Sequence, residues 1–268
     1  MLDEVDIALH ATAGQPACRA RRVRSRGVES YLICATPRSG STLLCGLLRS
    51  TGVAGRPESF FRREDLDAYA GRWGVPRPAD GAVDFPYVRA ALAAGSTPTG
   101  VFGARIMWGT MTELTEALRS AAGGSTVSDS DLLSGAFGRT RFVHLRRHDR
   151  VAQAVSWARA AQTHFWHPGE AVAPGGQAPR FDRRQIGRLV DTIAAHEAAW
   201  NAWFGHLGLA PHGVAYDDLA ADPIGVTQGV LDYLGLDLPA EAAVTMRDFR
   251  QSDNLNADWI ARFADDGR

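Results

Sequence analysis

The sequence predicts an α/β protein in which a central, mostly parallel β-sheet is flanked by helices. Short apolar runs alternate with segments whose apolar residues recur at helical spacing, and this alternation is typical of strand–helix–strand units. The runs predicted as strands are 31–35, 99–107, 141–145 and 213–216. Ligands bind beyond the carboxyl ends of the strands in such sheets. We therefore expect the functional site where the chain leaves these runs.

A helix is predicted after each strand. The predicted helices cover 41–50, 112–121, 182–204 and 224–234. A further helix is predicted to follow the capping residue Asp149. Pro223 is suited to open the last of these, because proline is favoured at the first helical position. The Gly-, Ser- and Asp-rich stretch 123–135 is predicted to be a loop. The stretch 167–181 is predicted to be a mobile loop, and its length is typical of lids and binding loops.

Size and charge limit the domain organisation and the partners. With 268 residues, of which 45% are apolar, the chain can bury a sizeable core. Residues 1–29 are predicted to be a flexible basic leader, and residues 30–268 a single domain. A net charge of -1 gives no general attraction to nucleic acid or membranes. No apolar run reaches the roughly 18–20 residues that span a bilayer, and an apolar signal core is missing, so a cytoplasmic location is expected.

The cysteines and histidines predict neither a disulfide framework nor a metal site. The chain has 3 cysteines, and Cys34 and Cys45 fall in apolar strand and helix patterns, where they are expected to fill the core. His164 and His167 are near each other in sequence, but no Cys or carboxylate pair completes a ligand set at suitable spacing. We therefore expect no metal ion.

The turn between the first strand and the first helix is predicted to be a P-loop-like, anion-binding loop. The backbone amides of a tight turn and the N-terminus of the following helix point at one spot, which favours a phosphate. Charge, hydroxyl groups and the turn itself are supplied by Arg38, Ser39, Gly40, Ser41 and Thr42.

This loop does not have the pattern of a P-loop NTPase. That pattern has Gly, four residues, and then Gly-Lys-Ser/Thr. Here Ala35 stands at the first Gly position, Ser41 follows Gly40, and the chain contains no lysine. An ATP-dependent kinase is therefore disfavoured, while a non-catalytic nucleotide-binding module stays open as an alternative of another class.

Three separate segments resemble sulfotransferases that use 3′-phosphoadenosine-5′-phosphosulfate (PAPS). The first is the loop, in which a basic residue precedes Ser-Gly and two hydroxyl residues open a helix. The second is 143–156, where Arg147 after a strand and Ser156 in the next helix resemble the pair that holds the 3′-phosphate. The third is 215–223, which resembles a strand running into an acidic turn and Asp-Pro.

More closely, the chain resembles the bacterial trehalose 2-sulfotransferase family over roughly residues 30–260. The shared blocks lie at 38–44, 51–55, 57–61, 100–108 and 144–156. The resemblance implies the PAPS sulfotransferase fold, PAPS-dependent O-sulfotransferase activity, a carbohydrate-type acceptor such as a trehalose-like sugar, and a homodimer. Sulfation of a nucleoside or of another natural-product hydroxyl is the alternative within the same reaction.

The resemblance also implies roles for individual residues. Glu58 resembles the family's glutamate in the connector after the first helix, here residues 53–62, and it is the candidate base for the acceptor hydroxyl. Arg38 would stabilise the leaving phosphate oxygen. The loop residues 38–42 would hold the 5′-phosphosulfate, and Arg147 and Ser156 the 3′-phosphate.

On the acceptor side, substrate contacts are predicted for Pro37, Phe60, Arg105 and Trp108. Pro37 replaces the Gln that the family has before the loop arginine, near the place where the family binds its sugar. Arg105 replaces a family lysine. The segment 250–252 is expected to close over the nucleotide, as the last loop of a sulfotransferase does.

Overall fold

Strands and helices alternate through the part of the chain that the structure, a computed structural model, describes. The described residues are 29–76, 83–124, 126–163, 178–239, 244–245 and 254–265. The strands are β1 (Ser30–Ala35), β2 (Phe102–Met107), β3 (Thr140–Arg146) and β4 (His212–Ala215). The helices are α1 (Ser41–Ser50), α2 (Leu66–Trp73), α3 (Phe85–Gly95), α4 (Trp108–Ala121), α5 (Asp129–Phe137), α6 (Arg150–Thr163), α7 (Arg183–His206), α8 (Tyr216–Ala221), α9 (Pro223–Leu234) and α10 (Asn254–Asp265), with a 3-10 turn at Arg63–Asp65.

The strands form one sheet in the order β2-β1-β3-β4, and every pair is parallel. Ala35 at the end of β1 lies opposite Met107 at the end of β2, and Arg146 at the end of β3 lies opposite Ala215 at the end of β4. The carboxyl ends therefore share one edge of the sheet, which confirms the predicted fold class. Because β1 is flanked by β2 and β3, the loop that follows it lies in the middle of that edge.

Apolar layers cover both faces of the sheet. Leu32 and Cys34 of β1 pack with residues of α2–α5 and α7, whereas Tyr31 and Ile33 pack with residues of α1 and α9. This separation follows from the period of two along a strand. Cys34 and Cys45 are 0% and 5% exposed, so their predicted role as core filler is confirmed.

The helix α5 contradicts the sequence prediction, which places a loop over 123–135. The Ser128 side chain accepts a hydrogen bond from the Asp131 amide and so caps the helix. Leu132, Leu133 and Phe137 are buried behind that cap. The polar residues that suggest a loop are here the N-cap and the first turn, where Ser and Asp are favoured.

Other helix starts follow the predicted signals. Asp149 Oδ1 accepts a 2.8 Å hydrogen bond from the Ala152 amide at the start of α6. Pro223 opens α9, and Asp222 Oδ1 accepts a 2.8 Å hydrogen bond from the Gly225 amide. The predicted cap at Asp149 and the predicted opening of α9 by Pro223 are therefore confirmed.

Some predictions lie outside the described residues. They concern the leader up to residue 28, most of the stretch 167–181, and the segment 250–252. Among the residues that are described, no helix combines the length and apolar character needed to cross a membrane.

Candidate active site

The loop after β1 has the backbone shape of an anion-binding turn. Arg38 and Gly40 both have positive φ angles, 64° and 93°, so the chain turns sharply before α1 begins at Ser41. The first amides of a helix have no partner inside the helix, and they point toward the space in front of it. A Cβ at Gly40 would collide with the ring of Tyr216, the residue that follows β4. Only glycine therefore fits this place without displacing its neighbours.

Among the described residues, three buried polar atoms in and near the loop lack a hydrogen-bond partner, and Gln153 Oε1 of α6 is one of them. Ser39 Oγ and Arg147 Nε have no hydrogen-bond partner among the described residues. Buried polar atoms are normally hydrogen-bonded, so such atoms call for an explanation. The Arg147 guanidinium carbon lies 4.5 Å from the centroid of the Tyr216 ring. Arg147 and the loop therefore both lie next to Tyr216, Arg147 through its guanidinium and the loop through Gly40.

The helix α6 contacts the loop through two of its side chains. Arg38 Nε donates a 3.0 Å hydrogen bond to Ser156 Oγ, although the residues are 118 positions apart. Gln153, one turn earlier on α6, donates to Thr36 Oγ1 and to the Pro37 carbonyl, both at 2.7 Å. The fold thus brings the predicted loop arginine and the predicted helix serine into contact.

A second polar network lies beside the loop, between α1 and β2. Arg105 of β2 donates from Nη1 to Thr42 Oγ1 at 2.9 Å and from Nε to Ser59 Oγ at 2.8 Å. The connector residue Glu58 forms a bridge with Ala104, and its carbonyl accepts from the Arg105 amide at 2.9 Å. Arg105 therefore ties the N-terminus of α1 to the connector that carries Glu58.

The Glu58 carboxylate faces different partners from its neighbour Ser59. Glu58 Oε1 lies 2.8 Å from Arg49 Nη2, and Glu58 Oε2 accepts a 2.8 Å hydrogen bond from the Tyr69 hydroxyl. Successive side chains of extended backbone point in opposite directions, which explains why Ser59 meets Arg105 instead. Burial and the Glu58 hydrogen bond raise the pKa of Tyr69, so its hydroxyl stays a donor.

The remaining predicted acceptor residues differ in exposure. Pro37 and Trp108 are half-buried, and the Trp108 ring packs edge-on against Trp200 with the centroids 5.0 Å apart. Trp200 in turn donates from its indole nitrogen to the Ala35 carbonyl at 3.1 Å. Phe60 is only 3% exposed and belongs to the apolar core, so its ring supports the site from behind.

Comparison with known proteins identifies the family. The Stf0 sulphotransferase family profile matches residues 30–266. The chain belongs to this family. It is 32% identical over 262 residues to trehalose 2-sulfotransferase of Mycobacterium tuberculosis, covering 89% of this chain and 96% of the relative. It is 29% identical over 261 residues to trehalose 2-sulfotransferase of Mycolicibacterium smegmatis, with the same coverage.

Among solved structures, a sulfotransferase domain from the curacin biosynthetic pathway aligns with a TM-score of 0.46 and 15% identity, covering 87% of this chain and 83% of that one. Membership of the Stf0 family, which rests on the sequence matches, makes this protein an enzyme, a sulfotransferase. The kinase and the non-catalytic module are thereby set aside.

Several residues of this sulfotransferase's candidate site are not among those that the sequence patterns indicate. They are Arg49, Ser59, Tyr69, Gln153 and Tyr216. Two of them had a signal: Gln153 precedes Ser156 by three residues on one helix face, and Tyr216 is the last residue of the strand predicted over 213–216. The others depend on contacts between the connector, α1 and α2, which have no local pattern. Among the described residues, no group of His, Cys, Asp and Glu could hold a metal ion.

Proposed function

We propose that this sulfotransferase transfers a sulfuryl group from PAPS to a hydroxyl of a carbohydrate-type acceptor, a trehalose-like sugar or glycoside. The two relatives named as trehalose 2-sulfotransferases, matched over most of both chains, support a sugar acceptor. Residues 30–268 would act as a single domain. The cytoplasmic location and the homodimer stay predictions.

The observation that carries the donor site is that Arg38 of the loop contacts Ser156 of α6, while Ser39 Oγ and Arg147 Nε are buried without a partner among the described residues. The loop residues 38–42 would hold the 5′-phosphosulfate through backbone amides and hydroxyl groups. Arg147 and Ser156 would hold the 3′-phosphate, which suits the planar set of donors on a guanidinium.

Bound PAPS would supply an activated sulfuryl group at the loop. Arg38 would donate to the phosphate oxygen that gains charge as its bond to sulfur breaks, and such donors act most strongly where charge develops. Arg105, held by Thr42 and Ser59, would contact the sulfuryl oxygens or the acceptor. By analogy with phosphoryl transfer, the protein's main contributions are positioning and charge stabilisation.

Glu58 is the proposed base, which would take the proton of the acceptor hydroxyl as the new oxygen–sulfur bond forms. Its side chain is 36% exposed, and Arg49 and Tyr69 each occupy one of its oxygens. A carboxylate oxygen has a second lone pair, so both oxygens keep capacity to accept from a sugar hydroxyl. Pro37 and Trp108 would contact the sugar, while Phe60 would act from the core.

The activity test incubates the protein with PAPS and a panel of acceptors, and mass spectrometry detects the added sulfonate. The panel contains trehalose, other disaccharides, nucleosides and phenolic natural products. Sulfated trehalose or another glycoside is the expected product. Sulfation of nucleosides or phenols alone would overturn the sugar acceptor, and no sulfated product with any acceptor would overturn the PAPS-dependent transfer.

The base is tested separately with Glu58→Gln. We expect kcat to fall about 10²- to 10⁴-fold, as for loss of a general base, while affinity for 3′-phosphoadenosine 5′-phosphate stays unchanged. Glu64→Gln is the matched control, because Glu64 is 68% exposed and forms an ion pair with Arg62 in the 3-10 turn just after the connector. A Glu58→Gln enzyme as active as the wild type would remove the base role and leave the transfer reaction standing.

A further inference from the structure

Gln153 is a fully buried polar residue that has no role in the reaction as proposed above. It lies in α6 and is 0% exposed. Burying a polar side chain costs free energy unless it is hydrogen-bonded. The Gln153 amide nitrogen donates to Thr36 Oγ1 and to the Pro37 carbonyl, both at 2.7 Å. Because a carbonyl can only accept, the Pro37 contact decides which end of the Gln153 amide faces the loop.

The Pro37 carbonyl belongs to the peptide unit that joins Pro37 to Arg38. A hydrogen bond to this carbonyl restrains the orientation of that unit, and hence the φ angle of Arg38. Arg38 has a φ of 64°, the one positive φ of a non-glycine residue in the described chain. Residues with a Cβ adopt this conformation only at a cost in free energy, so the surroundings must maintain it.

The same face of α6 also holds the Arg38 side chain. Ser156 is three residues after Gln153, a spacing that places both on one side of a helix. Arg38 Nε donates to Ser156 Oγ at 3.0 Å. One helix face thus restrains the backbone before Arg38 through Gln153 and the guanidinium through Ser156.

We propose that Gln153 is a positioning residue for Arg38 in sulfuryl transfer. It contacts no ligand atom in this scheme; it sets the direction in which Arg38 leaves the loop. The inference rests on the proposed function, in which Arg38 donates to the leaving oxygen. Because the loop amides and hydroxyl groups that would hold the donor lie after Arg38, loss of Gln153 should slow transfer more than it weakens donor binding.

The test is Gln153→Met, which keeps the side-chain volume nearly constant and removes both donors. We expect kcat to fall about 10- to 100-fold, in line with the cost of a small misplacement of a reacting group. The affinity for 3′-phosphoadenosine 5′-phosphate should change no more than about 3-fold, since its proposed contacts remain. Gln162→Met is the matched control, because Gln162 lies on the same helix and donates to the Arg180 carbonyl and Gln185 Oε1 instead.

A purely structural role predicts a different pattern, in which kcat, affinity and thermal stability fall together, and that result would overturn the proposal. A kcat like that of the wild type would overturn it as well. If Gln153→Met does not fold, Gln153→Leu replaces it, because leucine likewise lacks the donor to the Pro37 carbonyl. The same kcat loss is expected, and a wild-type kcat in Gln153→Leu overturns the proposal. If the wild type transfers no sulfuryl group, both the proposed function and the role of Gln153 are overturned. If the wild type is active and Gln153→Met is equally active, only the role of Gln153 is overturned.

Discussion

The proposed donor side and the proposed acceptor side of the site are built differently. On the donor side, Thr36, Ser39 and Gln153 are each at most 2% exposed. On the acceptor side, the side chains of Arg49 and Glu58 are 45% and 36% exposed. Hydrogen bonds between buried groups are expensive to leave unmade, whereas an exposed ion pair contributes only about 0–1 kcal/mol. Apart from the proposed base Glu58, substitutions should therefore cost most on the donor side, and the residues around Glu58 on the acceptor side should tolerate change.

The strongest test of this contrast is Arg38→Ala. We expect kcat/KM to fall about 10²- to 10³-fold, the usual loss when a donor to the developing charge is removed. Arg188→Ala, at an exposed position on α7, is the control and should behave as wild type. Steady-state kinetics with PAPS measures both. A loss for Arg38→Ala no larger than that for Arg49→Ala would break the contrast.

Gly40→Ala comes next. The added Cβ meets the Tyr216 ring and must adopt a φ of 93°, which together should cost about 2–4 kcal/mol of unfolding free energy. In Gly187→Ala, on α7, the new Cβ meets open space, and the substitution should stabilise by about 0.5–1 kcal/mol. Urea unfolding of the two variants gives the comparison. If the double variant Gly40→Ala/Tyr216→Ala recovers part of the lost unfolding free energy, the Tyr216 ring is the steric cause. If Gly40→Ala loses no unfolding free energy, the loop accommodates the added Cβ and the expectation is wrong.

A buried histidine beneath the proposed donor side should make the fold less stable at acidic pH. His144 of β3 packs against the rings of Trp200 and Phe204, and burial lowers its pKa from 6.5 to about 4. In the unfolded chain this histidine takes up a proton first as pH falls. Its contribution therefore leaves stability unchanged above pH 6.5 and destabilises the fold progressively from pH 6.5 toward pH 4, by up to about 3 kcal/mol.

The measurement is the difference in unfolding free energy between the wild type and His144→Leu across this pH range. Burial also lowers the pKa values of His196 and His212, and these residues stay in both proteins, so their contributions cancel. A difference that does not vary with pH would contradict the buried, neutral state of His144.

The smallest effect is expected for Tyr69→Phe on the acceptor side. This change removes one hydrogen bond to a half-exposed carboxylate, worth about 1 kcal/mol, so kcat should fall only about 5-fold. Because the pKa of Tyr69 is raised, the loss should be the same at pH 6 and pH 9. Tyr233→Phe, whose ring stacks on His212 away from the connector, is the control. If Tyr69→Phe loses as much activity as Arg38→Ala, the two sides do not differ in their tolerance of substitution.

The sequence could predict the parts of the molecule that depend on neighbouring residues. The helix after β1 was predicted over 41–50, and α1 spans Ser41–Ser50. The cap at Asp149 and the opening proline of α9 also follow local rules. The error at α5 shows the limit of composition: Ser and Asp favour both loops and helix starts, and only the burial of Leu132 and Leu133 decides between them.

The sequence by itself determined the parallel sheet, the anion loop and the edge at which they meet, because strand periodicity, helix spacing and turn chemistry act over a few residues. Tertiary structure alone decided that Gln153 donates a hydrogen bond to Thr36, 117 positions away, and that Glu58 meets Arg49 and Tyr69 while Ser59 meets Arg105. Contacts of this kind arise when separate elements pack around one core, and no local pattern encodes which side chains will then face each other.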